Sequence, residues 1–179
     1  MRRSFEASPL LKLAFLAATA CSIHIFETLI MRLLPLPFIR LGLSNIIVLY
    51  LILDKKPLQA VAVNVTKSIV GGVVTFTLLT PATLLSITGG LAAVLAMWVA
   101  DGSSFGFSSY GVSIAGAEAH NLMQLLVVHW VVLPGTGVFV LTPILLLLGL
   151  FSGFIIAWIL SLVQAKFRSN GLENNEEKT

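Results

Sequence analysis

The fold is decided by an uncharged apolar run near the end of the chain, PILLLLGLFSGFIIAWILSLVQ at residues 143–164. A helix needs about 20 mainly apolar residues to cross a bilayer, so this run predicts a membrane-spanning helix. Further apolar segments of this kind lie at residues 9–34, 38–53, 57–79, 81–100 and 111–133. The sequence therefore predicts an all-α integral membrane protein, a bundle of six transmembrane helices forming one domain over residues 1–164.

The composition indicates that lipid is the solvent of this chain. Of 179 residues, 57% are hydrophobic and only 11% are charged, whereas soluble domains have about 25% charged residues. The net charge of +3 comes from short basic clusters between apolar runs, which is typical of membrane orientation and not of nucleic-acid binding. The one cysteine excludes an intramolecular disulfide and a four-cysteine metal site.

The basic residues predict the orientation. Arg32 and Arg40 fall on one side of the membrane, Lys67 falls within a span, and the other eight basic residues fall on the opposite side. Positive residues gather on the cytoplasmic side, so we expect both termini there, in a bacterial inner membrane, with residues 165–179 as a polar cytoplasmic tail. The eight residues are Arg2, Arg3, Lys12, Lys55, Lys56, Lys166, Arg168 and Lys178.

Pro35 and Pro37 precede the second predicted span, which is short at roughly 24 Å. Proline lacks an N–H and clashes with the preceding turn, so we expect a bend or a partly sunken loop there. Backbone at that depth must be covered by protein or line a cavity.

The start of the chain has an alternative interpretation. Arg2, Arg3, an apolar stretch and Ala20-Cys21 resemble a bacterial signal peptide that ends at a lipidated cysteine. Residues 22–34 stay apolar, however, where a lipoprotein would have a polar tether. An uncleaved span, with Cys21 as a small packing residue, is favoured.

Polar side chains inside the predicted spans are the candidate site. An ionisable group in a span costs about 2.5–3.5 kcal/mol on insertion scales, so it needs a partner or a function. Four spans bring such groups to similar depths between the midplane and the outer surface, which predicts a ligand pocket open to the outside. The candidate ligand-binding residues there are Glu27, Asn45, Ser86, Gly89, Gly90, His120, Asn121 and Gln124.

The alternative is that these groups only join helices. Hydrogen bonds between membrane helices average about 0.6 kcal/mol and are common, and for Asn45, Asn64 or His129 alone this interpretation is preferred. Lys67 and Glu118 form a separate case because both lie near the midplane, where an unpaired charge is costly. An ion pair between them is the simplest solution. The alternative is that Lys67 binds an anionic ligand and Glu118 titrates with it.

Catalysis has little support in the sequence. No G-x-x-x-x-G-K-[ST] pattern occurs, so we expect no ATP hydrolysis by this chain. Asp54 and Asp101 are isolated, and no acidic cluster is present to hold Mg²⁺ against a diphosphate. The three histidines lack metal-ligand spacing. We therefore expect no cofactor and no metal.

Three runs resemble the signatures of one bacterial membrane family: RLGLSNII at residues 40–47, SITGGL at 86–91 and GVSIAGAEAHNLMQ at 111–124. The family is labelled "Gx transporter" or "heptaprenyl diphosphate synthase component I", and the resemblance runs in order from Glu27 to about Gly153. Relatives usually have an apolar residue at Glu118, glycine near Met123 and arginine near Lys67. The ligand contacts of this chain therefore differ from the family pattern.

The resemblance implies a likeness to the substrate-binding (S) components of energy-coupling-factor importers. These have six helices, a short second helix and an outward ligand pocket. It also implies that Ala14 and Ala18 pack against a transmembrane coupling subunit, whose ATPases supply the energy. Lipid and a small-molecule ligand would be the other partners.

Two further hypotheses remain beside the importer. The chain is alternatively a non-catalytic membrane partner in prenyl diphosphate or quinone synthesis, as one of the family labels says. A purely structural scaffold is the third interpretation, and the set of buried polar residues weakens it.

Overall fold

The computed structural model describes residues 8–33, 42–132 and 136–176, and this part of the chain is helical and contains no strand. The α-helices are α1 (Pro9–Leu33), α2 (Asn45–Leu53), α3 (Pro57–Val74), α4 (Pro81–Gly102), α5 (Ser109–Val127) and α6 (Thr142–Glu176). A π-helical turn at Val128–Val132 and a 3-10 turn at Thr136–Leu141 lie between α5 and α6. Proline occupies the first position of α1, α3 and α4, where its missing N–H costs no hydrogen bond.

Four segments are long and apolar enough to cross a membrane: Pro9–Ile30, Pro57–Val74, Pro81–Gly102 and Gly137–Phe167. Large apolar side chains such as Phe15, Leu95, Trp98 and Leu147 stand exposed on the outside of the bundle. An apolar surface of this extent would not be stable in water. The chain is therefore a membrane protein, and its described residues form helices.

Three helix ends differ from the ends of the predicted spans. The second helix begins at Asn45 and not at 38, after a turn that starts at Gly42 in the left-handed region (φ 65°); residues 34–41, with Pro35 and Pro37, lie outside the described residues. The third ends at Val74 and not at 79, because Phe76 takes a left-handed conformation (φ 57°) that a helix cannot continue. The last continues beyond 164 to Glu176, so the polar segment extends the helix.

The short helix α2 lies at the centre of the bundle and contacts the other five α-helices. Its Val48, Leu49, Leu51 and Ile52 are almost completely buried. With nine residues, α2 is about 14 Å long, roughly half the hydrocarbon thickness of a bilayer.

Ion pairs lie at one end of the bundle, where α2 ends, α3 begins and α4 ends; we call it the Lys55 end. Lys55 Nζ is 2.7 Å from Asp101 Oδ2, and Lys56 Nζ is 2.7 Å from Asp54 Oδ2. The hydrogen bond and charge of Asp54 raise the pKa of Lys56. The opposite end, at which α1 ends and α2 begins, is the Asn45 end.

Glycines let helix backbones approach each other closely. A Cβ added to Gly153 of α6 would lie 2.7 Å from Ile114 Cα of α5, and backbone atoms cannot move aside as a side chain can. Gly102, at the end of α4, has nothing within 4 Å of the same position.

We expect Gly153→Ala to lower the free energy of unfolding by about 1–3 kcal/mol, because the added methyl group overpacks the α5–α6 contact. The matched control Gly102→Ala should leave the free energy of unfolding unchanged or raise it slightly, since alanine is the better helix former. Unfolding of the purified chain in detergent, followed by tryptophan fluorescence, measures both. Equal stability of the two variants would contradict the close α5–α6 contact.

Candidate functional site

A small polar cavity lies inside the bundle, between its middle and the Asn45 end. All six α-helices contribute to its lining, and its volume is about 40 Å³. A buried water needs about 10–15 Å³ of such cavity volume, so the cavity has room for about three waters or a group of that size. Its polar lining residues are His24, Glu27, Ser44, Asn45, Lys67, Ser86, Ser113, His120, Asn121 and Ser152.

Lys67 is the positive charge in this lining. Its side chain comes from the middle of α3 and is 3% exposed. Its Nζ donates to Ser44 Oγ at 3.1 Å and to Asn45 Oδ1, both at the start of α2. The polar start of α2 therefore supplies the acceptors that a buried ammonium group requires.

The turn before α2 is also hydrogen-bonded to α1. Glu27 of α1 accepts a hydrogen bond from the Gly42 N–H through its Oε1. Since Gly42 has a φ of 65°, a residue with a Cβ would be strained there. Glu27, the turn and Lys67 together connect α1, α2 and α3 around one wall of the cavity.

The expected ion pair between Lys67 and Glu118 is not formed. Lys67 points into the cavity, while Glu118 Oε1 lies 2.7 Å from the position that a Cβ of Gly149 would take on α6. Successive helix residues are rotated by about 100°, so Glu118 leaves the face of α5 on which Ala117 and Asn121 meet the cavity. Its carboxylate faces the α6 backbone, close to the Leu150 N–H.

His120 reaches the cavity with support from a neighbour on its own helix. Its Nε2 is 2.9 Å from Gln124 Nε2, one helical turn further along α5. Both side chains pass close to Gly89 of α4, where a Cβ would lie 3.0 Å from His120 Cε1 and 3.2 Å from Gln124 Cγ. Gln124 and Gly89 therefore position the imidazole and do not line the cavity themselves.

Two amide side chains join neighbouring helices to each other. A Cβ on Gly90 would lie 2.0 Å from Asn64 Oδ1, so Gly90 makes room for that amide, whose Nδ2 is 3.4 Å from the Ile87 carbonyl. Asn121 Nδ2 donates to the Leu145 carbonyl at 2.8 Å, which joins α5 to α6 beside the cavity.

The structure thus brings six of the predicted residues to one cavity and leaves four outside its lining. Those in the lining are Glu27, Asn45, Lys67, Ser86, His120 and Asn121; those outside it are Gly89, Gly90, Glu118 and Gln124. Ala14 and Ala18 are exposed on the outside of α1, away from the cavity. In the described segments no three His, Cys, Asp or Glu side chains come together as a metal site would require.

Among the four serines of the cavity lining, Ser86 was predicted as a site residue, whereas Ser44, Ser113 and Ser152 were not. Ser113 is fully buried, and its Oγ has no hydrogen-bond partner among the described residues. Ser44 and Ser152 are also buried in the lining, while Ser86 shares a hydrogen bond of 2.9 Å with Ser68. A signal existed for Ser113, because it lies two helical turns before His120 on one face of α5.

A family model described as heptaprenyl diphosphate synthase component I matches residues 16–163. The chain belongs to this family. The match contains every residue that lines the cavity and extends from within α1 to within α6. No curated protein and no solved structure matches the chain significantly.

We expect Asn45→Leu to lower the free energy of unfolding of this family member by about 1–3 kcal/mol, because Lys67 loses one of two acceptors. In the Lys67→Met background the same change should cost less, with a coupling energy of about 1.5–3 kcal/mol. Unfolding in detergent of the four chains of this double-mutant cycle measures the coupling. A parallel cycle with the exposed Gln164→Leu is the control and should be additive; additivity at Asn45 would contradict the hydrogen bond.

Proposed function

We propose that this chain captures a small polar metabolite in the cavity and delivers it to an ATP-driven module of other chains. It would be the substrate-binding component of an energy-coupling-factor importer and would not hydrolyse ATP itself. The observation that carries the proposal is the cavity, in which six helices place ten polar side chains. Desolvated polar groups in a membrane protein are costly and mark ligand pathways, and pockets between bundle helices are usual ligand sites.

The proposed orientation places this cavity toward the outside of the cell. If the basic residues of the Lys55 end face the cytoplasm of a bacterium, the Asn45 end faces outward. The cavity would then be reached from the side on which nutrients are captured, and both termini would be cytoplasmic. In this arrangement all six α-helices lie in the membrane, and α2 crosses only part of the bilayer.

Partner binding on α1 is supported by its surface. Ala14 and Ala18 are one turn apart and exposed, and small side chains at this spacing let a second helix approach closely. In our proposal this surface takes the transmembrane coupling subunit, which in turn binds the ATPases.

The family description favours a second candidate, a non-catalytic membrane partner in prenyl diphosphate synthesis. Two apolar grooves on the outside of the bundle support it. One, of about 970 Å³, runs between α4 and α5, and the other, of about 940 Å³, is bounded by α1, α2 and α6. Either groove is large enough for an isoprenoid chain that enters sideways from the lipid.

Ligand retention tests the importer. We expect native mass spectrometry of the purified chain in mild detergent to show a bound small molecule, and Ser113→Leu to lose it because leucine fills the cavity. Ser161→Leu, on the outside of α6, is the matched control and should keep the ligand. Vesicle uptake of the identified compound should fall at least tenfold in Ser113→Leu. An empty wild-type cavity would overturn the proposal, and so would unchanged uptake of the identified compound in Ser113→Leu.

An elongation assay tests the second candidate. Prenyl diphosphate synthesis by a catalytic partner subunit is measured in vesicles with and without this chain. If the chain acts in synthesis, the rate or the product length changes, because a groove holds the growing isoprenoid. Leu95→Trp in the α4–α5 groove should then shorten the product, while Trp98→Leu, on α4 but outside that groove, should not. An unchanged rate and length in all cases would exclude this role.

A further inference from the structure

The ammonium group of Lys67 has hydrogen-bonding capacity that the protein does not use. An ammonium has three N–H donors. Two of them are directed to Ser44 Oγ and Asn45 Oδ1, and no third acceptor from the described residues lies within hydrogen-bond distance. Since Lys67 lines the cavity, the remaining donor is available to a molecule inside it.

The charge of Lys67 also lacks a counter-ion at contact distance. The two acceptors are a neutral hydroxyl and a neutral amide. No carboxylate oxygen among the described residues comes within 4.0 Å of Lys67 Nζ. Glu27 attracts the ammonium from elsewhere in the lining, while its own Oε1 receives the Gly42 N–H. A buried cation without a counter-ion at contact is costly, and an anion in contact with it would offset part of that cost.

A second unused donor faces the same space. The Ser113 hydroxyl is fully buried, has no partner among the described residues and lines the cavity. The Ser152 hydroxyl is also buried in this lining, but it donates its hydrogen to the Gly149 carbonyl at 3.3 Å. Oxygen-rich anions accept several hydrogen bonds at once, and charge-assisted hydrogen bonds are about twice as strong as neutral ones. The volume of about 40 Å³ fits a carboxylate or a phosphate group.

We propose that the captured metabolite carries a carboxylate or phosphate group and that this group binds Lys67 Nζ and the Ser113 hydroxyl. The proposal rests on the function proposed above and specifies its substrate class. A cationic ligand would be repelled by the ammonium, and a neutral ligand would supply no counter-ion at contact distance.

Thermal unfolding of the full chain in detergent tests the proposal, with sodium phosphate and sodium acetate as probes against sodium chloride at equal ionic strength. We expect one of the two oxyanions to raise the Tm of the wild type by several degrees and saturably. Lys67→Arg, which keeps the charge, should retain the shift. Lys67→Met should lose it, with an apparent Kd at least tenfold weaker. Lys55→Met, which removes an exposed cation at the other end, should behave as the wild type.

Thermal unfolding of the wild type with the oxyanions and with chloride tests the proposal even if Lys67→Met does not fold. No difference between oxyanions and chloride, or an equal shift in Lys67→Met, would overturn the proposal. Native mass spectrometry separates this failure from failure of the importer function. A neutral or cationic metabolite that Ser113→Leu loses and Lys67→Met retains would refute the anionic class and leave the importer standing, whereas an empty cavity would refute both.

Discussion

A membrane interior supplies no water to buried polar groups, and the arrangement around Lys67 follows from that constraint. The ammonium requires acceptors, and the start of α2 provides two of them. For α2 to begin at that depth, the chain must turn at Gly42, whose N–H is bound by Glu27 of α1. The short central helix, the turn and the polar cavity thus together accommodate the buried charge of Lys67.

Glycine is the recurring means by which this bundle accommodates polar side chains. His24 lies against Gly71, Asn64 against Gly90 and Glu118 against Gly149, with distances of 2.0–2.7 Å to the position a Cβ would take. In each case the polar group approaches the backbone of another helix because no side chain intervenes. The same close approach shortens the distance between helices and strengthens the dispersion contacts that hold membrane helices together.

Much of the fold was predictable from the sequence because lipid imposes strict requirements on composition and segment length. The uncharged run at 143–164 is sufficient to place the last span. Helix ends were harder, because apolar residues continue past them: Phe76 is apolar, yet its left-handed backbone ends α3. The early start predicted for α2 failed for the same reason, since nothing in its hydropathy marks the turn at Gly42.

The level of each site residue along its span was predictable, but the direction in which its side chain points was not. A polar residue in an apolar span reveals its level in the membrane from its position in sequence, and Glu27, Asn45 and His120 do meet at one level. Which way a side chain points depends on neighbouring helices, so Glu118 turned to α6 although its level suited Lys67. Three of the four cavity serines were not predicted, because small hydroxyl groups are common in membrane helices and carry no signal in hydropathy.

The short helix α2 begins beside Lys67, and the depth of this point in the membrane has an electrical consequence. If Lys67 lies about midway across the bilayer, a singly charged anion bound there has traversed about half of the transmembrane voltage. A full crossing is worth about 2.3 kcal/mol per charge at 100 mV, so half of it is about 1 kcal/mol. With a negative cell interior this energy opposes entry from outside and weakens anion affinity roughly fivefold. The site would therefore hold its ligand more tightly in a depolarised membrane.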